Sequence, residues 1–247
     1  MAYTSYVLSL MVEISNIVGR TENNSLFEEY RDGVKKAYQE LVSSPKFSLD
    51  TDRQCKQVRP LYMNLLTEEQ TTFAQERLIK ALDNYDWKLG TGFLSTPFIL
   101  YVLEKIDPNY AYKLLLNEKM PGWLYMAKNN TGTIWESWEG AEMKSKLSFL
   151  ASLNHYSKGA MVEWLFKSML GIKIKGENNF EISPVIGEGI DYAKGGYRSI
   201  YGEVHVYWKK DNDKINFDIK IPPNTKATFI FKDKVETLES GTYHFLV

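Results

Sequence analysis

The chain is poor in the residues that build disulfides and metal centres: one cysteine, Cys55, and three histidines, His155, His205 and His244, in 247 residues. A single thiol excludes an internal disulfide and a thiolate metal cluster. The histidines are too scattered for any metal-ligand spacing, so chemistry without a metal or cofactor is the expectation. An excess of one charge is missing as well. The net charge is −1, and nothing in that balance draws the chain to nucleic acid or an anionic membrane. A long uninterrupted apolar run is also absent. The first nineteen residues are apolar but lack a basic leader and carry Glu13, while Val7, Leu10, Met11, Ile14, Ile17 and Val18 recur at helical spacing. That pattern reads as an amphipathic packing helix, not a signal peptide or membrane span, and a cytoplasmic location is expected from it.

Aromatic residues are abundant: 16 Tyr, 12 Phe and 6 Trp. Sugar-binding clefts use such side chains and so do β-sandwich interiors, and composition leaves both open.

Helical patterns fill the first two thirds. The opening helix stops at Gly19, and a second begins after residues 21–24 and ends at Ser43-Ser44-Pro45, an antiparallel hairpin. A third helix is predicted from about Gln54 to Leu66, with Pro60 marking a kink or a late start. Thr67, with Gln70 three residues on, is a capping-box start to a fourth helix reaching about Asn84. The turn from Lys88 to Pro97 leads into a fifth helix. Its Gly90-Thr91-Gly92 lacks the Lys and Ser/Thr of a phosphate-binding loop. A sixth helix spans Pro108 to Asn117. From Lys119 to Gly140 periodicity is lost, and a loop of that length is usually functional. His155 then opens a helix ending at Gly171. Beyond residue 172 the period changes to two. Strands are predicted at Ile174, Phe180–Ile182, Tyr201–Trp208, Ile215–Ile221, Ala227–Phe231 and Thr242–Val247, with His205 pointing from its strand to solvent.

One stretch carries chemistry. Thr133-Ile134-Trp135-Glu136-Ser137-Trp138 sets a carboxylate between two indoles, and Asn154-His155-Tyr156 follows nineteen residues after Glu136. A pyranose face stacks on an indole while an acidic group handles the proton, which makes a sugar-cleaving pocket a candidate. Core-anchoring indoles around a solvated loop acid are the other reading of the same residues.

Several motifs stand together in the order of one family. Thr91-Gly92-Phe93-Leu94 with Thr96-Pro97, Pro121-x-Trp123-x-Tyr125, Thr133-Ile134-Trp135-Glu136-x-Trp138 and Asn154-His155-Tyr156-x-x-Gly159-Ala160-x-x-Glu163-Trp164-Leu165 resemble bacterial α-L-rhamnosidases. Tyr201-Gly202-x-Val204 through Trp208, Pro222-Pro223-Asn224-Thr225 and Glu239-Ser240-Gly241 extend the likeness through the tail. The resemblance implies an α+β multidomain chain. Residues 1–172 would be part of an (α/α) six-hairpin toroid, with about seven of its twelve helices, and residues 173–247 a small antiparallel β-sandwich. It further implies inverting hydrolysis of terminal α-L-rhamnose from an oligosaccharide or glycoside. Glu136 matches the family's general base and His155 a residue contacting the sugar, and Trp138 and Trp135 fall in the pocket wall.

The chain departs from the pattern at Lys88, Ser95 and Gly132, which bears on substrate preference. The family's general acid belongs to an earlier motif not found here, and Glu139 and Glu163 match no motif. The expectation is therefore the C-terminal part of a longer or split enzyme, its exposed helical face covered by a missing N-terminal half or by a second copy. A non-catalytic sugar-binding or structural remnant, and another sugar-cleaving or lyase activity on the same toroid, are the competing readings.

Overall fold

The computed structural model describes residues 1–129, 132–137 and 152–247. The chain clusters into two compact units, Met1–Val102 with Asn117–Ser157, and Leu103–Leu116 with Lys158–Val247.

The first unit opens with α1 (Ala2–Val18) and α2 (Asn24–Val42) as a hairpin. Gly19 ends α1 in the left-handed conformation, φ 70°, which a residue without Cβ adopts freely. The first turns of α1 also meet later parts of the unit. Tyr3 and Tyr6 reach the rings of Phe98 and Tyr62, which stack at 4.3 Å. Further along α1, Ile14, Ile17 and Val18 are 57%, 76% and 59% exposed. The apolar stripe read from the sequence is thus present and uncovered among the described residues.

The third helix, α3 (Gln54–Tyr62), holds Pro60 in its last turn and ends sooner than the expected Leu66. Asn64, at φ 53°, turns the chain away. The fourth helix, α4 (Glu68–Asn84), starts at the expected capping box: Thr67 accepts from the Gln70 amide, and Gln70 from the Thr67 amide. Val58, Leu65, Ala74, Leu78, Ala81 and Leu82 are fully buried. The loop expected over Lys119–Gly140 is shorter than that at its start, because α7 (Trp123–Lys128) forms there and buries Trp123 and Met126. One face of six residues is too little for periodicity to register.

Between these lie α5 (Ile99–Ile106), within which the division of units falls, and α6 (Pro108–Leu115). Asp107 caps α6 by accepting from the Asn109 amide at 2.8 Å. The single helix expected after His155 is broken into α8 (Tyr156–Gly159), within which the division of units falls again, α9 (Met161–Trp164) and a π-helical turn, Leu165–Met169.

The rest of the second unit is a sandwich of two four-stranded sheets. One has the order β1 (Ile172–Ile174), β2 (Asn179–Ile182), β6 (Lys226–Phe231), β7 (Lys234–Leu238), and its β2–β6 pair is parallel. The other, wholly antiparallel, has the order β3 (Tyr192–Ser199), β4 (Gly202–Asp211), β5 (Lys214–Ile221), β8 (Gly241–Leu246). Phe217 and Phe245 of the second sheet meet Phe229 of the first at 5.2 and 4.8 Å, closing the interior.

Two strands, β3 and β7, escape the period-two reading. In β3 the inward position next to Ala193 is Gly195, where a Cβ would lie 2.5 Å from Leu170 Cδ1. The helix-side leucine fills the place of a strand side chain, so the hydrophobic alternation is missing from the sequence. Val235 of β7 is 67% exposed, and a strand at the sheet edge with one buried residue, Leu238, shows no alternation. No helix among the described residues is long and apolar enough to cross a membrane.

Candidate active site

In the first unit the chain folds residues 134–136 against 152–155. The Glu136 amide donates to the Ser152 carbonyl at 2.8 Å, and the His155 amide donates to the Ile134 carbonyl at 2.7 Å. The two bonds run antiparallel with one residue more on the second segment than a regular ladder has, as in a bulge. Ser152 Oγ accepts from the Asn154 amide at 3.1 Å and so stabilises the extra residue. Glu136 and His155, nineteen apart in sequence, are brought onto two bonded segments.

Glu136 is exposed, and its Oε2 accepts the Ser152 amide at 2.8 Å. One carboxylate oxygen is fixed by the backbone while Oε1 has no hydrogen-bond partner among the described residues. A carboxylate held by one oxygen and open at the other is suited to accept a proton from water.

His155 is half-buried, edge-on to Phe93 at 6.3 Å and stacked on Tyr156 at 5.5 Å. Its Nδ1 is buried and has no hydrogen-bond partner among the described residues. An unsatisfied buried ring nitrogen costs about 1–3 kcal/mol. Tyr156 is 83% and Phe93 54% exposed, so two aromatic faces beside the imidazole are open. Met126 and Ala127 of α7 with Gly132, Thr133, Ile134 and Asn154 line a cleft of about 510 Å³, to which neither Glu136 nor His155 contributes. That volume falls in the range of small-molecule sites.

Of the residues singled out in the sequence, Trp135 takes the core-anchor role. It is 1% exposed and offers no open face to a sugar, which corrects its placement in the pocket wall. Trp138 and Glu139 lie outside the described residues. Glu163 is an exposed carboxylate of the second unit paired with Lys167 one helical turn on, a solvated ion pair.

Phe93 owes its position to contacts that no motif announces. Gln54, 1% exposed, donates to the Lys88 carbonyl at 2.9 Å and accepts the Gly90 amide at 2.8 Å. A Cβ at Gly90 would meet that amide group at 3.0 Å, so the turn lies directly on it. The Thr91 and Thr96 hydroxyls bond to each other at 2.9 Å across the turn. Ser157, two residues past the imidazole, donates to the Phe93 carbonyl. A buried glutamine serving a turn 34 residues away leaves no local signal.

The second unit contains a carboxyl the sequence did not mark. Glu104 accepts the Trp164 indole N–H at 2.6 Å, and burial pushes its pKa up, offset in part by the hydrogen bonds from Ser168 and Trp164. Trp164 meets the ring of Tyr112 edge-on at 5.4 Å, and the Tyr112 hydroxyl donates to the Val185 carbonyl at 2.7 Å. Burial raises the Tyr112 pKa. These groups anchor α9 within its unit. No group of three or more His, Cys, Asp or Glu among the described residues is placed to hold a metal ion.

The chain matches the family model for the bacterial alpha-L-rhamnosidase 6 hairpin glycosidase domain over residues 1–169. It matches that for the bacterial alpha-L-rhamnosidase C-terminal domain over 175–244. An alpha-L-rhamnosidase of Formosa agariphila is 29% identical over 99% of this chain, which spans 27% of that relative. One from an Alteromonas species is 31% identical over 69% of the chain and 19% of the relative. Among solved structures, native α-L-rhamnosidase from Aspergillus terreus superposes with a TM-score of 0.90 at 26% identity, covering all of this chain and 30% of that one. The Streptomyces avermitilis enzyme complexed with L-rhamnose gives 0.86 at 25%, covering 100% and 26%. The chain thus spans about a quarter of the length of the relatives it matches, and it belongs to the bacterial α-L-rhamnosidase family, with both the six-hairpin glycosidase domain and the C-terminal β-domain represented.

Proposed function

We propose that this chain supplies the water-activating side of an inverting α-L-rhamnosidase acting on terminal rhamnose of an oligosaccharide or glycoside. Glu136 is the general base, and His155 contacts the sugar. The observation that carries the reading is the pairing of residues 134–136 with 152–155. It sets a half-free carboxylate and an unsatisfied imidazole on adjoining segments. In inversion, the base takes a proton from a water that attacks the anomeric carbon opposite the leaving oxygen, while an acid some 6.5–9.5 Å away protonates that oxygen. The acid belongs to a part of the site outside these residues. Without it, leaving-group protonation is lost and turnover falls by roughly 10²–10⁴-fold.

The test is Glu136→Gln in the complete enzyme, assayed with an aryl α-L-rhamnoside and by rhamnose titration calorimetry. Hydrolysis is expected to vanish with rhamnose binding preserved, and retained turnover removes Glu136 from the mechanism. In the 247-residue chain, binding without turnover agrees with the missing acid, and absence of both in the complete enzyme favours a structural remnant.

The exposed stripe on α1 supports a further part of this reading: it packs against additional helices of the toroid. Met11, Ile14 and Val18 with Phe27 of α2 line a hollow of about 360 Å³ there. Sedimentation of the chain against an Ile14→Glu, Ile17→Glu variant separates self-association from this arrangement. Concentration-dependent dimers abolished by the change assign the stripe to a second copy.

A further inference from the structure

The second sheet turns one face to the interior and the other outward, and the outward face is built of rings and cations. Alternation places Tyr192 and Lys194 of β3 and Tyr207 and Lys209 of β4 on that outer face, because Ala193, Val206 and Trp208 point inward. The register pairs Tyr192 with Lys209 and Lys194 with Tyr207. The four side chains form a checkerboard in which each ring has one lysine beside it along its strand and another across the ladder. The two ring centroids are 6.3 Å apart, and Tyr192 is 60% exposed. Neither lysine has an ion-pair or hydrogen-bond partner among the described residues. The neighbouring carboxylate, Asp218 opposite Tyr207, is engaged by His244 Nδ1 at 2.5 Å.

We propose that this checkerboard is a second, non-catalytic binding site for an acidic saccharide, a chain bearing uronate carboxylates or sulfate esters. Spacings of roughly 5 Å across the ladder and 7 Å along a strand set ring and cation at the scale of one sugar residue. The apolar face of such a residue stacks on a tyrosine while its anionic group meets the adjoining ammonium. The two uncompensated cations select an acidic over a neutral sugar. The preference for a saccharide over other polyanions rests on the glycoside-directed function proposed above. The assay needs no turnover, so it succeeds or fails independently of Glu136.

The test is native gel electrophoresis of the 247-residue chain through gels containing polygalacturonate, dextran sulfate, neutral dextran or double-stranded DNA. Retardation by at least one acidic polysaccharide and none by dextran is expected, the two acidic arms telling carboxylate from sulfate recognition. Binding should weaken roughly tenfold or more in Lys194→Gln, Lys209→Gln and measurably in Tyr192→Ser. The change Lys226→Gln, Lys232→Gln on the other sheet should leave it intact. No retardation by either acidic polysaccharide overturns the proposal. So does equal retardation by DNA, undiminished binding in the checkerboard lysine variant, or equal loss in the control pair. Circular dichroism of each variant checks folding, and exposed Tyr192 supplies a probe that does not depend on the lysines.

Discussion

Replacing Gln54 by leucine tests whether the turn that carries Phe93 is positioned from beneath. The substitution keeps the volume of a buried side chain and removes two hydrogen bonds, to the Lys88 carbonyl and from the Gly90 amide. Both backbone groups are part-buried, so each costs toward the lower end of the 1–3 kcal/mol for an unsatisfied group. The sum is about 2–4 kcal/mol. Gln57 is the control. It is fully buried on the same helix, donates to the carbonyls of Leu49 and Thr51 at 2.7 and 2.8 Å, and serves a different loop. Gln57→Leu should therefore lower stability to a similar degree, read as the urea midpoint. The two variants should part at the site. With three histidines in the chain and His205 and His244 on the outer sheet face, the His155 ring signal is readily picked out by NMR. Gln54→Leu should shift it by disturbing the Phe93 ring 6.3 Å away and should weaken rhamnose binding, while Gln57→Leu should do neither. An unmoved His155 signal in Gln54→Leu, or equal shifts in both variants, refutes the reasoning.

The remaining expectations concern the second unit and the Glu136 carboxylate. Burial raises the Glu104 pKa above the ordinary glutamate value of 4.5, so the folded chain holds a proton there that the unfolded chain releases. Stability should fall as pH rises from that value through the raised one, and Glu104→Gln, which still accepts from Trp164, should flatten the slope in urea melts at successive pH. A slope unchanged by the substitution assigns the pH dependence to other groups. Gly171 sits at φ 76°, and a Cβ there would be 2.2 Å from the Pro184 nitrogen, with rigid backbone on both sides. Gly171→Ala should destabilise by at least about 2 kcal/mol, against about 1 kcal/mol for the uncapping Thr67→Ala, as measured by chemical denaturation. Glu136→Gln should abolish hydrolysis in the complete enzyme at unchanged melting temperature, since the side chain is exposed and a glutamine carbonyl oxygen still accepts the Ser152 amide. A matched loss of stability and activity would point to a structural role.

Local chemistry is legible in sequence wherever a few neighbouring residues decide the outcome. Gly19 at the end of α1, the Thr67–Gln70 box at the start of α4 and the alternation of β4 and β5 each depend on contacts within one turn or one strand pair. The family motifs likewise marked Glu136 and His155. Three things lay beyond such reading. The strand at 192–199 is hidden because Leu170, just past the π-helical turn, occupies the space that Gly195 leaves. The single helix expected after His155 is divided, where backbone bonding shifts to a π-helical turn. The burial of Trp135 and the clamping of the Phe93 turn by Gln54 depend on partners far along the chain.

The amino-acid order by itself determined the helical first part, the strand-rich end and the family, and marked Glu136 and His155 as candidates, because capping, periodicity and motif spacing are short-range. Only the tertiary structure decided that two segments nineteen residues apart bond through their backbones and leave one carboxylate oxygen and one ring nitrogen without a partner among the described residues. Which polar atoms go without a partner depends on what every other part of the fold brings near them, and no local pattern records that.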